Sequence, residues 1–359
     1  MSKLAQERHY GLDLLRILSM YMIVVLHLIG QGGVRSAVAR DSVNYYLVRL
    51  LNFATLGATS CYAMLSGYFG AGLRKRFASI ASVWLQVFVY SFGITLVFRV
   101  FTDSDLSLTE SLFPVVTKQY WYFTAYFVVF LLAPVLNAAV EKLSTGQLAT
   151  VLLTLGLVFC SSDFFGDVFI LNGGYSPHWL AYLYLVGGLV RRVGTSGRPW
   201  KWAAAYGGFV ILNVIVQRLC LKLRWENMGI LLHYNSPLVL PMSVCLFLFF
   251  ANCNIKAGTW IAKVIGFLTP LTFGVYLIHT HLAIFALMEK KFTFLGGSPI
   301  LLIPGLLGVA LAIFAGCALV DWLRKLLFGL LHIRPLLEKL GTWLDKVMSR
   351  FLTKLIPTK

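Results

Sequence analysis

Gly11-Leu12-Asp13-Leu14-Leu15-Arg16-Ile17-Leu18-Ser19-Met20-Tyr21-Met22-Ile23-Val24-Val25-Leu26-His27-Leu28-Ile29-Gly30 is an almost unbroken apolar run. Its length matches the ~20 residues that a helix needs to cross a bilayer core. Three ionisable side chains interrupt it: Asp13, Arg16 and His27. Such a group inside a span costs several kcal/mol unless it faces protein or water, so each is a candidate functional residue. Arg16 and His27 are eleven residues apart. At about 100° per residue that is three turns plus ~20°, which places both on one stripe, ~16 Å apart along the axis. Asp13, one turn before Arg16, falls near the same stripe and is placed to pair with the guanidinium. The stripe is expected to face a protein-lined cavity reaching the inner aqueous side. A neutral imidazole there suits a general base.

The rest of the chain repeats this solvent preference. Of 359 residues, 58% are hydrophobic and 13% charged, with a mean hydropathy of +0.79. Soluble domains carry about 45–50% apolar and about 25% charged residues. These numbers exclude a soluble enzyme, a disordered chain and a disulfide-framed secreted domain. The net charge of +17 is read as cytoplasmic loops meeting anionic headgroups rather than as a nucleic-acid footprint. Six Cys without CxxC spacing, mostly in apolar runs, are read as packing residues, and no metal site is expected.

Ten apolar segments are candidate spans: 12–30, 44–70, 78–100, 119–140, 147–162, 177–192, 201–219, 236–253, 264–288 and 299–322. A basic start and Ala37-Val38-Ala39 imitate a cleaved signal peptide, but Arg16 and His27 break the apolar core and nine segments follow. With the N-terminus cytoplasmic, twenty of the 31 basic residues fall in inner loops or the tail and seven in outer loops. The expected fold is an all-α polytopic transmembrane bundle of about ten spans with both termini cytoplasmic. Residues 1–323 form its membrane domain. Residues 324–359 carry Leu336, Leu337, Leu340, Trp343, Leu344 and Val347 at helical spacing among basic residues, which is the pattern of an amphipathic helix on the inner leaflet.

Further polar residues sit where lipid is expected. Thr272-Phe273-Gly274-Val275-Tyr276-Leu277-Ile278-His279 places Tyr276 and His279 on one face (i, i+3), at a depth like that of His27; His281 points elsewhere and is read as interfacial. Met64-Leu65-Ser66-Gly67-Tyr68-Phe69 ends beside Arg74, Lys75 and Arg76, a cluster that suits phosphate or plain positive-inside topology. Gln119-Tyr120-Trp121-Tyr122-Phe123 is read by default as an outer aromatic belt, although Tyr and Trp also stack on sugars. Tyr234 and Asn235 are possible acceptor contacts.

Together these residues resemble the acyltransferase-3 family of integral-membrane acyltransferases. Arg16, ten residues and His27 resemble its first-helix signature, and Ser66-Gly67-Tyr68 with Arg76 its second stretch. Pro114, Tyr120-Trp121 and Pro134-Val135-Leu136-Asn137 are similar to the segment around its fourth span. Gly274 to His279 is similar to its ninth-helix motif, and Asp321 with Arg324-Lys325 to the end of its tenth. Some members carry an extra span and an extracytoplasmic hydrolase-like domain; this chain ends after ten spans and a short tail, which implies a separate extracytoplasmic transferase or polysaccharide-export partner.

The resemblance implies a multi-pass cytoplasmic-membrane enzyme. It would move an acyl group, usually acetyl, from cytoplasmic acyl-coenzyme A to a hydroxyl of a cell-surface polysaccharide or lipid-linked precursor. Acetyl-coenzyme A would dock at Arg76, Arg74, Lys75 and Ser66. His27 would act as general base or take the acyl group itself. Arg16 would orient the donor, with Asp13 and Tyr68 in support, and Tyr276 or His279 would donate to the oxyanion. Tyr120, Trp121, Tyr234 and Asn235 would face the acceptor. A secondary transporter or flippase without covalent chemistry is the competing class, and a structural subunit of an export complex a third.

Overall fold

The computed structural model describes residues 8–70 and 77–355. They form helices and connecting turns, with no strand among them: α1 Tyr10–Gly30, α2 Val34–Ala37, α3 Val43–Leu56, α4 Ala58–Gly70, α5 Phe77–Phe101, α6 Leu108–Leu112, α7 Trp121–Lys142, α8 Thr145–Ser161, α9 Pro177–Val193, α10 Pro199–Lys222, α11 Val239–Ala251, α12 Trp260–Leu268, α13 Thr272–His279, α14 Leu282–Met288, α15 Pro299–Leu330 and α16 Ile333–Leu355.

α1 is the axis of the bundle, packed by α3, α4, α11, α12, α13 and α15. Its start is fixed by His9. The Nδ1 atom accepts the Leu12 N–H at 3.2 Å, and Nε2 lies 3.0 Å from the Ala251 carbonyl at the end of α11. Asp13 in the first turn complements the positive end of the helix dipole.

Seven segments among the described residues are long and apolar enough to cross a bilayer: Tyr10–Gly30, Ala81–Phe101, Trp121–Lys142, Thr145–Phe165, Pro199–Lys222, Trp260–His279 and Pro299–Leu330. The expected count was about ten. Three of the ten expected segments, 44–70, 177–192 and 236–253, form no helix of that length, whereas 264–288 still supplies a span, Trp260–His279, in spite of its breaks. Segment 44–70 is two helices meeting at Gly57, where Thr55 Oγ1 turns back onto the Leu51 and Asn52 carbonyls. Segment 264–288 is interrupted by a 3-10 turn, Thr269–Leu271, containing Pro270, which has no N–H to donate. It is interrupted again after His279. α11 spans only 13 residues and α9 only 17. α15 runs on to Leu330, past the expected end of the tenth span. α16 packs along α5 and leaves Leu336, Trp343 and Val347 exposed.

Two close approaches set the helix positions. α4 and α9 cross at Gly67 and Gly187. A Cβ at Gly67 would collide with the Tyr184 carbonyl, and one at Gly187 with the Met64 carbonyl. Small residues let membrane helices gain dispersion contact where no hydrophobic drive exists. Gly274 of α13 lies against the fully buried Asp321 of α15, whose Oδ1 receives Tyr90 Oη at 2.7 Å and Arg324 Nε at 2.8 Å. A charge buried this deeply needs such partners.

Gly67→Val is expected to destabilise the protein by about 1–3 kcal/mol or more, because the backbones must part. Thermal unfolding in detergent reads this as a lowered midpoint. An unchanged midpoint would mean that the crossing tolerates a side chain.

Candidate active site

Two cavities lie on the stripe of α1 that carries Arg16 and His27, an inner one at the N-terminal end of the helix and an outer one along its C-terminal half; a third, apolar cavity opens on another face at Leu18, Tyr21, Met22 and Val25. The inner one is an open depression of about 430 Å³ lined by Arg8, Asp13, Arg16, Phe69, Gly266, Thr269 and Pro270. Asp13 is buried between two guanidinium groups: Arg8 Nε is 2.5 Å from Oδ2, and Arg16 Nη1 is 3.4 Å from Oδ1. Arg8 is therefore the closer partner, which spacing within α1 alone does not disclose. Arg16 Cζ also lies 5.6 Å from the Phe69 ring centroid.

The outer cavity has a volume of about 140 Å³. Around it come His27 and Met20 of α1, Thr59, Tyr62 and Ser66 of α4, Trp121, Tyr122, Phe123 and Tyr126 of α7, Tyr234, and Phe273 and Tyr276 of α13. The expected single passage from Arg16 to His27 is thus two chambers. Tyr62 stands between them, its hydroxyl donating to the Arg16 carbonyl at 2.9 Å. Ser66 in one chamber and Phe69 in the other are about one turn apart on α4.

His27 and His279 touch. Nδ1 of His27 is 3.0 Å from Nε2 of His279, and Nδ1 of His279 is 2.6 Å from the Val275 carbonyl oxygen. A carbonyl oxygen only accepts, so His279 Nδ1 carries the proton. Its Nε2 then accepts from His27 Nδ1–H. This tautomer, assigned from the hydrogen-bond pattern, leaves the Nε2 lone pair of His27 free on a ring that lines the cavity. His279 is wholly buried with both nitrogens engaged, so it has no N–H to offer an oxyanion. Tyr276, one turn earlier on α13, has a buried hydroxyl without a hydrogen-bond partner.

The aromatic segment before α7 does not form a belt facing lipid. Tyr120 and Phe123 are buried, and Trp121 turns inward, its ring 6.0 Å from Tyr234 and 4.3 Å from Tyr175. Burial first, and then the neighbouring Tyr175 phenol, push the Tyr234 phenol well above its ordinary pKa, so Tyr234 stays neutral. His281 is not interfacial. It is fully buried, with Nε2 3.2 Å from the Ser91 carbonyl and 3.2 Å from Thr95 Oγ1.

Of the residues singled out in the sequence, His27, Tyr276, Ser66, Trp121 and Tyr234 share the outer chamber, with His279 directly behind His27. Arg16 and Asp13 share the inner one. Tyr68 packs on Phe247, Tyr120 stands behind Tyr276, and Asn235 is buried with its amide donating to the Phe159 carbonyl; these three line neither chamber. Arg74, Lys75 and Arg76 lie outside the described residues. Thr59, Tyr62 and Tyr126 are chamber residues that the sequence does not single out, and Tyr122 stands out there only as part of an aromatic belt. The 59, 62, 66 spacing of polar groups in an apolar helix, and the 122, 126 pair, were the available signals. Among the described residues no group of three or more His, Cys, Asp or Glu is arranged to hold a metal ion.

Comparison with known proteins bears on this geometry. A family model described as an acyltransferase domain, that of the acyltransferase-3 family, matches residues 9–322. No curated protein matches the chain, and no solved structure does. The matched segment contains every helix that lines the two chambers, and the chain belongs to the acyltransferase-3 family as a multi-pass membrane acyltransferase.

Proposed function

We propose that this enzyme transfers an acetyl group from cytoplasmic acetyl-coenzyme A to a hydroxyl of a cell-surface polysaccharide or its lipid-linked precursor, working in the cytoplasmic membrane with both termini inside. The observation that carries this reading is the His27–His279 contact on the wall of a neutral, aromatic chamber. Two histidines wired to a backbone carbonyl make a base with one free nitrogen. A tyrosine-lined chamber supplies ring faces and hydroxyls that suit a sugar. Arg16 and Arg8, with Arg74, Lys75 and Arg76 of the sequence, supply charge for the phosphates of a donor that cannot itself enter hydrocarbon. The thin pantetheine arm would pass Phe69, Tyr62 and Ser66 to bring the thioester to His27. Residues 1–323 would do this work while 324–359 hold the inner leaflet, and a separate extracytoplasmic or export partner would complete delivery.

In the step itself, His27 Nε2 takes the acceptor hydroxyl proton as the oxygen attacks the thioester carbonyl. The C–O bond forms, the C–S bond breaks, and the departing thiolate takes the proton back from His27. His279 holds the imidazole in the tautomer that makes Nε2 basic and stabilises the imidazolium through Nδ1–H.

Purified protein in detergent, given labelled acetyl-coenzyme A and a polysaccharide acceptor, is expected to release coenzyme A in an acceptor-dependent way. A transporter or scaffold would release none. His27→Ala is expected to lower transfer by at least ~10²-fold with an unchanged thermal midpoint; transfer at the wild-type rate would remove His27 from the chemistry. His279→Phe is expected to lower kcat by about tenfold or more with KM for the donor held, because the imidazole loses its orienting acceptor. His279→Gln, which keeps an acceptor, is expected to recover part of that loss. Equal activity of the Gln and Phe variants would contradict the proton wiring.

A further inference from the structure

The first turn of α7 carries donors with nothing to donate to. Tyr120, at the N-cap position, gives no side-chain oxygen to the turn. The first backbone bond of the helix is Thr124 N–H to the Tyr120 carbonyl at 2.9 Å, and the N–H groups of Trp121, Tyr122 and Phe123 have no acceptor among the described residues. A helix start normally hands these groups to water or a capping side chain. Here the three residues line the buried chamber of His27.

A second observation points to the same spot. Tyr276 is 6% exposed, lines this chamber, and its hydroxyl has no hydrogen-bond partner. The Tyr122 and Phe123 peptide N–H groups act on this hydroxyl from the start of α7 without meeting it in hydrogen-bond geometry. The Tyr276 ring lies 6.3 Å from the Tyr122 ring and 6.5 Å from that of His279. Orphaned peptide donors at the start of α7, an orphaned phenol and the histidine with a free nitrogen therefore belong to residues that line one small chamber. The 22-residue helix behind the peptide donors adds the positive end of its dipole.

We propose that the N-terminus of α7 is the oxyanion hole of this enzyme: the Tyr122 and Phe123 N–H groups, with the Tyr276 hydroxyl, receive the carbonyl oxygen of the acyl group as it becomes negative. The assignment rests on the reading of His27 as the base. As the acceptor oxygen bonds to the carbonyl carbon, the π pair moves onto the carbonyl oxygen, and that oxyanion accepts from the three donors. On collapse the C=O bond re-forms, the C–S pair leaves with sulfur, and the His27 proton goes to the thiolate. Donors already fixed in place need no reorganisation at that moment, which is where such sites gain their effect.

The direct test deletes one N–H and leaves every side chain in place. Phe123 is replaced by its α-hydroxy acid, phenyllactic acid, so that the peptide link before it becomes an ester. A matching ester at Val129, in the middle of α7, serves as the control. Purified wild type and both esters are assayed with labelled acetyl-coenzyme A and acceptor. The Phe123 ester is expected to lose about 10²-fold or more in kcat with donor KM unchanged, and the Val129 ester to stay within a few-fold of wild type. Wild-type kcat in the Phe123 ester, or an equal loss in both esters, overturns the assignment. Tyr276→Phe is the second variant, needed if the Phe123 ester does not fold. It is expected to lower kcat by about tenfold with donor KM and thermal midpoint held, and full kcat there removes the phenol and the site built around it. If wild type itself releases no coenzyme A with acceptor present, the acyl-transfer reading fails before this inference is reached.

Discussion

Inside a bilayer a neutral imidazole must find a partner for each nitrogen or pay the full cost of desolvating it. His27 and His279 meet that constraint at three of their four nitrogens, and the fourth, His27 Nε2, is on a ring that lines the chamber. The Val275 carbonyl fixes the proton on His279, His279 fixes the proton on His27, and one nitrogen remains over. The arrangement has the logic of a base oriented by a second group, with an uncharged imidazole in place of a carboxylate. An uncharged partner suits this location, because a buried carboxylate would need its own set of donors. The one carboxylate wholly buried among the described residues, Asp321, gathers three on Oδ1: Gln86, Tyr90 and Arg324.

That histidine pair survives only if α1 and α13 keep their spacing, and the packing explains how they do. Asp321 against Gly274 pins α13 to α15 little more than one turn from His279. The glycine crossing of α4 and α9 holds Thr59, Tyr62 and Ser66 at the chamber wall. His9 ties the start of α1 to the end of α11. The two chambers then lie at the two ends of one stripe of α1, with charge at the inner end and neutral aromatic surface at the outer. This division matches the chemistry of a charged donor and a hydroxylated acceptor.

Much of this was legible in residue spacing. The Arg16 and His27 stripe follows from helical arithmetic, as does the pairing of Tyr276 with His279 on one face. The all-helical membrane class follows from composition. What spacing within one helix does not contain is contact between helices. His27 and His279 are 252 residues apart in sequence and meet only when the bundle closes. Arg8 reaches Asp13 from the segment before α1, which spacing within the helix does not cover, and the Gln119–Phe123 segment turns inward through contacts of Trp121 with Tyr234 and of Tyr122 with Tyr276. Helix breaks at Gly57 and Pro270 disappear inside a hydropathy window because they cost no apolar residue. The helix Ile333–Leu355 is legible as a helix, since an amphipathic period shows within one segment.

The claim on which the account turns is the protonation pattern of His27, which nitrogen-15 magnetic resonance of the histidine-labelled protein in lipid bilayers reads directly, with the His27→Ala protein to assign the signal. The account predicts a neutral ring protonated at Nδ1 and bare at Nε2 near neutral pH, with Nδ1–H coupled to a nitrogen of His279. A ring protonated at Nε2, or a His27 signal indifferent to the loss of His279, would contradict it.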